Sequence, residues 1–286
     1  GAVRVQSDAH HLGTGAYSVR TQIRAEAVGV PVEKVTFELG NSDLPFGPVA
    51  GGSNTTATVG SAIYDAAKAL HQNLAKLATA DARSPLHGLN PSKVILTTPG
   101  RLAAEDDTAR GDTFAEILQR AGKEFVEGEG KFSPPLLLKP PVAFQSFGVH
   151  FCEVKIDPLL PRVQVSRVVS VMDCGRVMNA KTARSQILGG VVMGLGMALE
   201  EETIYDPSTG LPATRHLADY HVPVNADVLD LEVHFVGEPD FQFNPMGARG
   251  MGEIGTTGIA AAVANAVYHA TGTRVRNLPI TLDKLL

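Results

Sequence analysis

Cysteine is almost missing from this chain, with Cys152 and Cys174 the two it has in 286 residues. Two thiols cannot hold an iron–sulfur cluster that needs four protein ligands, nor build a disulfide framework, so both read as small buried hydrophobes. Long hydrophobic runs are lacking as well. No apolar stretch reaches the roughly 18–20 residues needed to span a bilayer, and no signal-peptide pattern opens the sequence, which predicts a soluble chain with neither a membrane span nor a targeting signal. Excess positive charge is absent too. The formal net charge of -5 leaves no broad basic face for a polyanion, which disfavours nucleic acid and anionic membrane as partners and favours a small ligand. There is no G-x-S-x-G elbow and no P-loop, so serine hydrolase and nucleotide triphosphatase readings have no support.

What is present is a globular composition rich in glycine. Hydrophobic residues make up 44% and charged residues 19%, enough for a substantial core, and many of the 29 glycines fall in clusters, as expected where backbone must approach a ligand closely. The spacing of Ala16, Val19, Ile23 and Ala27 predicts an amphipathic helix starting at Gly15, closed by Gly29 and barred from continuing by Pro31. Val32 to Leu39 alternates like a strand. A glycine-rich loop over 47–53 leads into a long helical pattern, about Thr56 to Leu77, with Ile63, Ala66, Ala67, Leu70 and Leu74 on one face. Lys93 to Thr98 reads as a strand and the polar run Arg101 to Asp112 as a loop. The proline-rich stretch Ser133 to Pro141 reads as a connector, which divides the chain into lobes 1–139 and 140–286.

Beyond the connector, Val142 to Ile156 and Arg162 to Met172 predict a hairpin that turns at Pro158 to Pro161. Asn179 to Glu201 reads as a helix although Gly189, Gly190, Gly194 and Gly196 each cost it about 1 kcal/mol against alanine, so something is expected to approach that helix closely. Leu231 to Val236 is a strand, 247–258 a third glycine-rich loop, Ile259 to Thr271 an Ala-rich helix and Arg274 to Leu282 an extended segment. The order is mixed α+β, with strands and helices joined by glycine loops in each lobe and no residue-level internal repeat.

Three glycine loops stand ahead of helices, and there the chemistry concentrates. Gly250-Met251-Gly252-Glu253-Ile254-Gly255 satisfies G-x-G-x-x-G, but it follows Asp240-Phe-Gln-Phe-Asn-Pro-Met-Gly247 rather than a hydrophobic strand, which argues against a dinucleotide fold. The physical part survives: glycines let backbone N–H groups converge, and the helix at Ile259 adds a positive dipole end for an anion. Glu253 reads either as a surface carboxylate that favours the following helix or as a carboxylate held in a tight, partly desolvated site by its flanking glycines, Met251 and Ile254, as general-base work requires. Leu12-Gly13-Thr14-Gly15 and Gly51-Gly52-Ser53-Asn54-Thr55-Thr56 supply two further helix N-termini with hydroxyls. Singly these are ordinary cap residues; three in one chain are informative. Asp8-Ala-His-His11 reads as plain surface, and no metal ligand is assigned.

Together these motifs resemble the molybdenum hydroxylases, the family of xanthine dehydrogenase, aldehyde oxidoreductase and isoquinoline oxidoreductase. The resemblance runs from Gly13-Thr14-Gly15 and Thr21-Gln22, through the 51–56 loop, to Asp173-Cys-Gly-Arg-Val-Met-Asn179 and Gln186-Ile-Leu-Gly-Gly190. It continues over Gly247-Ala-Arg-Gly-Met-Gly-Glu-Ile-Gly255, Ala261 to Gly272 and Asn277-Leu-Pro279, and so covers nearly the whole chain. It implies an α+β fold of two mixed α/β lobes of the molybdopterin-binding type, and it places the family's active-site carboxylate, carried by Gly-x-Gly-Glu, on Glu253. That residue would take a proton from a metal-activated hydroxyl as it attacks an electron-poor carbon, while the cofactor supplies the redox chemistry.

By the same resemblance Gly13, Thr14, Gly15, Gly51, Gly52, Ser53, Asn54, Thr55, Gln186, Gly250, Met251 and Gly252 hold a molybdenum cofactor, a molybdopterin in its cytosine dinucleotide form. Many family members carry Gln where Thr14 stands, so the contact made there is not carried over. The expected partners are the rest of the molybdenum subunit and iron–sulfur and flavin (FAD) parts; the expected substrate is an aromatic aldehyde or an N-heterocycle, and the expected compartment a bacterial cytoplasm or periplasm. The chain is expected to be either a separate subunit of a split enzyme or an excised fragment, with the second favoured, and not to turn over by itself. A non-catalytic cofactor-binding or assembly domain of the same fold is the alternative, and a Rossmann-type dehydrogenase the third reading.

Overall fold

A computed structural model describes residues 2–133 and 143–286. The chain forms two compact units, one of residues 1–143 with 240–248 and one of 144–239 with 249–286. The segment just ahead of the third glycine loop, 240–248, groups with the first unit. The proline-rich connector lies, apart from Ser133, outside the described residues.

The first unit opens with a strand–helix–strand crossover. β1 (Val3–Ser7) and β2 (Val35–Leu39) pair in parallel, Val3 opposite Val35, with α1 (Ala16–Val28) between them in sequence. Val19 and Ile23 bury the inner face of α1, and Gly29 ends it in the left-handed region (φ 71°), donating its N–H to the Ala25 carbonyl. Val32 to Lys34, expected as strand, form a single 3-10 turn behind Pro31, and the strand proper starts at Val35. α2 (Thr55–Ala80) packs on α1 and bridges to a small antiparallel sheet of β3 (Val94–Thr97), β4 (Arg101–Ala104) and β5 (Gly111–Thr113). Leu74, Ala78, Leu86, Leu102, Ala104 and Ile117 form the core there.

The stretch Arg101 to Asp112 is thus no loop but the hairpin β4–β5. Leu102, Ala103 and Ala104 are buried, and Glu105, Asp106, Asp107 and Arg110, which give the stretch most of its polar look, sit in the turn at 105–110. α3 (Phe114–Arg120), not foreseen, begins at a capping box: the Thr113 hydroxyl accepts from the Glu116 N–H, and the Glu116 carboxylate accepts from the Thr113 N–H.

The second unit is built on a three-stranded sheet in the order β6–β7–β8. β6 (Phe147–Ile156) and β7 (Val163–Asp173) form the expected hairpin, and β8 (Asp230–Val236) joins β7 in parallel after α4 (Ala180–Leu199), a second strand–helix–strand crossover. α4 and α5 (Ile259–Thr271) cover the sheet, burying Val168, Met172, Ile187, Val191, Leu195, Ile259, Val263 and Val267 together. The close approach expected along α4 is real at three of its four glycines. A Cβ on Gly190 would stand 2.7 Å from the Gly255 carbonyl carbon, one on Gly194 2.5 Å from Ile259 Cβ, and one on Gly196 2.0 Å from the Glu201 carboxylate; at Gly189 nothing comes within 4 Å.

Residues 274–281 pair with no strand among the described residues. Ile280 is buried and tied by one bond from its N–H to the Ala198 carbonyl (2.7 Å), after which Leu282–Leu285 turn as a 3-10 helix. Residues 237–249 separate β8 from the G-x-G-x-x-G segment, so the strand that a dinucleotide fingerprint requires does not precede it. Cys174 is buried and Cys152 half-buried, and burial pushes both thiols up to about 11, as inert core residues. No helix among the described residues is long and apolar enough to cross a membrane.

Candidate functional site

The helix starts separate into two kinds. α3 and α4 satisfy their first N–H groups with their own side chains, Thr113 in the capping box and Asn179, whose Oδ1 accepts from the Thr182 N–H (3.0 Å). α1, α2 and α5, the helices behind the three glycine loops, carry no side-chain cap at Gly15, Asn54 or Gly258. An uncapped helix start presents unsatisfied N–H groups and the positive end of the dipole, which is what a phosphate or pyrophosphate requires. The residues present therefore fit an anion-bearing ligand.

In the first unit the two loops share one stem. The Gly47 N–H donates to the Asp8 carboxylate, and the Asp8 N–H donates to the Pro45 carbonyl (2.8 Å). A Cβ on Gly47 would meet the Ala9 backbone at 2.7 Å, so only glycine lets the two segments lie this close. The Gly13–Gly15 loop and the Gly51–Thr55 loop both leave from this stitch within a few residues. Asp8 thus has a structural task, while His10 and His11 are exposed, as a plain surface reading expects. Gly13 and Thr14 are exposed and Gly15 half-buried; Gly51 and Gly52 are exposed, while Ser53, Asn54 and Thr55 are half-buried. Ser53 alone among the described non-glycine residues has a positive φ, 55°, a strain of about 1–3 kcal/mol that tends to be stored where a loop is shaped for a ligand.

The third loop and Gln186 lie in the second unit and are brought together there. Residues 250–252 are half-buried, and Glu253 begins a 3-10 turn, Glu253–Gly255. Gly252 makes the turn possible with φ 145°, ψ -72°, a region closed to side chains. Several ties hold the loop. Arg249 donates its backbone N–H to the Cys174 carbonyl (2.8 Å) and its guanidinium to the Asp173 carboxylate, which also accepts from the Gly175 N–H (2.9 Å). The Ser146 hydroxyl donates to the Gly250 carbonyl. Gly255 is pressed on α4: a Cβ there would lie 3.0 Å from Ile187 Cα, the residue after half-buried Gln186. His150 of β6 accepts from the Ser170 hydroxyl (2.8 Å) and faces the Ile254 carbonyl (3.4 Å).

Glu253 itself corrects one expectation. Met251 and Ile254 do not wall it in; both turn into the core formed by α4, α5 and the sheet, which directs the intervening carboxylate outward, and Glu253 is exposed in this chain. Sequence reading missed Ser146, His150 and Ser170. The available sign was a polar residue on the inward stripe of β6, His150 in register with Cys152, Val154 and Ile156.

The family model described as the molybdopterin cofactor-binding domain matches residues 1–229. The chain belongs to that family. The domain is 37% identical, over 294 residues, to the aldehyde oxidoreductase molybdenum-binding subunit PaoC of Escherichia coli O157:H7, a match that covers 100% of this chain and 37% of the relative. It is 33% identical over 289 residues to the xanthine dehydrogenase molybdenum-binding subunit of the same organism, again covering 100% of this chain and 37% of the relative. Among solved structures it is similar to quinoline 2-oxidoreductase from Pseudomonas putida 86, with a TM-score of 0.81 and 25% identity over 96% of this chain and 35% of that one. The molybdopterin-binding domain thus spans little more than a third of the curated relatives it matches. The relatives reach the Glu253 loop, which the family model does not.

Proposed function

We propose that this chain is the cofactor-cradling part of a molybdenum hydroxylase and that Glu253 is its general base. The observation that carries the proposal is the division among helix starts: the three behind glycine loops are left uncapped, whereas α3 and α4 cap themselves. The residues we assign to the cofactor, a molybdopterin in its cytosine dinucleotide form, are Gly13, Thr14, Gly15 and the Gly51–Thr55 loop in the first unit and Gln186, Gly250, Met251 and Gly252 in the second, each set taken by itself. When bound, that cofactor supplies the redox chemistry, taking electrons from the substrate while water supplies the oxygen. An Oε of Glu253 accepts the proton of the attacking oxygen nucleophile, and the ties on its loop hold the carboxylate in one place while it does so.

The substrate we assign is an aldehyde, because the relative with 37% identity is named an aldehyde oxidoreductase subunit; an N-heterocycle is the second choice. The remaining region of the molybdenum subunit and iron–sulfur and flavin parts complete the enzyme. Glu253→Gln in the complete, cofactor-loaded enzyme keeps the size and polarity of the side chain and removes the base. Turnover is expected to fall by about 100-fold or more, with molybdenum content unchanged. The exposure of Glu253 in this chain favours the other reading, a cofactor-binding or assembly domain without a catalytic role, and unchanged turnover of the Gln variant selects it.

A further inference from the structure

The loop that carries Glu253 is held at its start by Ser146 and Arg249, and in its middle His150 reaches it from β6. The geometry fixes how that imidazole works. A backbone carbonyl can only accept, so the contact between Nε2 and the Ile254 carbonyl (3.4 Å) places the proton on Nε2; Nδ1 then accepts from the Ser170 hydroxyl (2.8 Å). Ser170 is fully buried on β7, opposite His150 in the β6–β7 register, which gives the ring a rigid base. A Cβ on Gly258 would lie 3.4 Å from the ring, so the imidazole also fills the space beneath the start of α5. Burial holds this imidazole below its ordinary value, against the opposing pull of the Ile254 and Thr257 backbone. The neutral form matches the donor and acceptor pattern its neighbours demand.

We infer that His150 is the positioning residue of the Glu253 loop: a neutral imidazole, set by Ser170, that donates to the Ile254 carbonyl and fixes the direction of the adjacent carboxylate. The inference rests on the reading of Glu253 as the base. It adds a residue on β6 that acts on the reaction without touching substrate or cofactor. The loss expected from removing it is one of placement, because small errors in the position of a reacting group cost up to about 100-fold.

Three variants of the complete, cofactor-loaded enzyme test it: His150→Phe, His150→Gln and Glu253→Gln. His150→Phe keeps the ring volume and removes both hydrogen bonds. It is expected to lower kcat by about 10- to 100-fold with KM little changed. It should also speed amide hydrogen exchange at Gly255, Thr256 and Thr257, whose N–H groups close the 3-10 turn, and leave exchange in α4 as it was. His150→Gln returns an amide N–H to the place of Nε2 and is expected to restore most of kcat and most of the protection. If His150→Phe does not fold, Ser170→Ala, which frees the tautomer, gives a smaller change of the same kind in both readouts. Turnover retained in Glu253→Gln overturns the assignment of the base. Turnover lost in Glu253→Gln but unchanged in His150→Phe overturns the positioning role alone, as does faster exchange with unaltered kcat.

Discussion

Replacing Gly190 by alanine sets two physical effects against each other. In mid-helix, glycine costs about 1 kcal/mol relative to alanine, so propensity alone says that Gly190→Ala stabilises α4. The new methyl would stand 2.7 Å from the Gly255 carbonyl carbon and 2.9 Å from both Gly255 Cα and Thr256 N. Carbon contacts are optimal at about 3.5–4.0 Å, so the backbone of the Glu253 loop has to retreat by roughly 0.8 Å or more. The atoms in the way are main chain and cannot rotate aside. Overpacking of this kind costs about 1–3 kcal/mol against a gain of about 1 kcal/mol, and with backbone atoms in the way the upper part of that range applies, so the net expectation is destabilisation by up to about 2 kcal/mol. Gly189, one position earlier, is the internal control. Nothing lies within 4 Å of its Cβ position, and Gly189→Ala is expected to stabilise by about 0.5–1 kcal/mol. Two adjacent and chemically identical substitutions should therefore move the thermal midpoint in opposite directions, separated by several degrees for a unit of this size. Thermal and denaturant unfolding measure the midpoint, and hydrogen exchange over 253–258 reports whether the loop has shifted. Equal stabilisation by both substitutions refutes the claim that α4 and the Glu253 loop are in backbone contact.

The capping box of α3 is exposed and local, so Thr113→Ala should cost about 1 kcal/mol in denaturant unfolding, and Thr113→Ser should recover most of it. Arg24 is fully buried, Nε and one terminal nitrogen have no partner among the described residues, and burial holds its guanidinium down at about 9. Unfolded chain keeps that proton above pH 12, so between about 9 and 12 the folded state binds fewer protons than the unfolded state, and wild-type stability gains with rising pH. Arg24→Met is accordingly expected to be the more stable form at pH 7, and its advantage should narrow as pH is raised from 8 to 10; an advantage that grows with pH contradicts the burial argument.

The long helices were legible because their information is local, whereas the seven-residue α3 was too short for its apolar spacing to stand out. Ile259–Thr271 came out with the bounds expected, and α1 and α2 within a residue or three, since apolar spacing and terminal glycine or proline act over a few positions. The same locality explains the miss at Arg101 to Asp112. The acidic and basic residues of a short turn dominate a window that also contains the buried Leu102-Ala103-Ala104 strand, and what makes that strand is its pairing with Val94–Thr97. Segment 274–282 failed in the opposite sense: its extended look came from Val275 and Ile280, but no strand edge among the described residues receives it, and a backbone bond to Ala198 with side-chain bonds from Arg274 to Asn265 and from Lys284 to the Asn277 and Pro279 carbonyls hold it instead. Composition can show that a segment suits a strand. It cannot show that a partner exists.

The site divides along the same line. The glycine loops were visible as clusters, and Glu253 stood out through the resemblance of its motif, because both are features of consecutive residues. The groups that hold Glu253 in place come from far along the chain. Ser146 meets Gly250, and His150 meets Ile254, each across 104 residues, and Asp173 meets Arg249 across 76. Exposure was unreadable for a related reason: Met251 and Ile254 beside Glu253 look like the walls of an apolar pocket in sequence, whereas three-dimensional packing commits both to the core and leaves the carboxylate on the outer side. A residue flanked by hydrophobes is shielded only if those hydrophobes face it. In a tight glycine turn, where successive side chains leave in different directions, they need not.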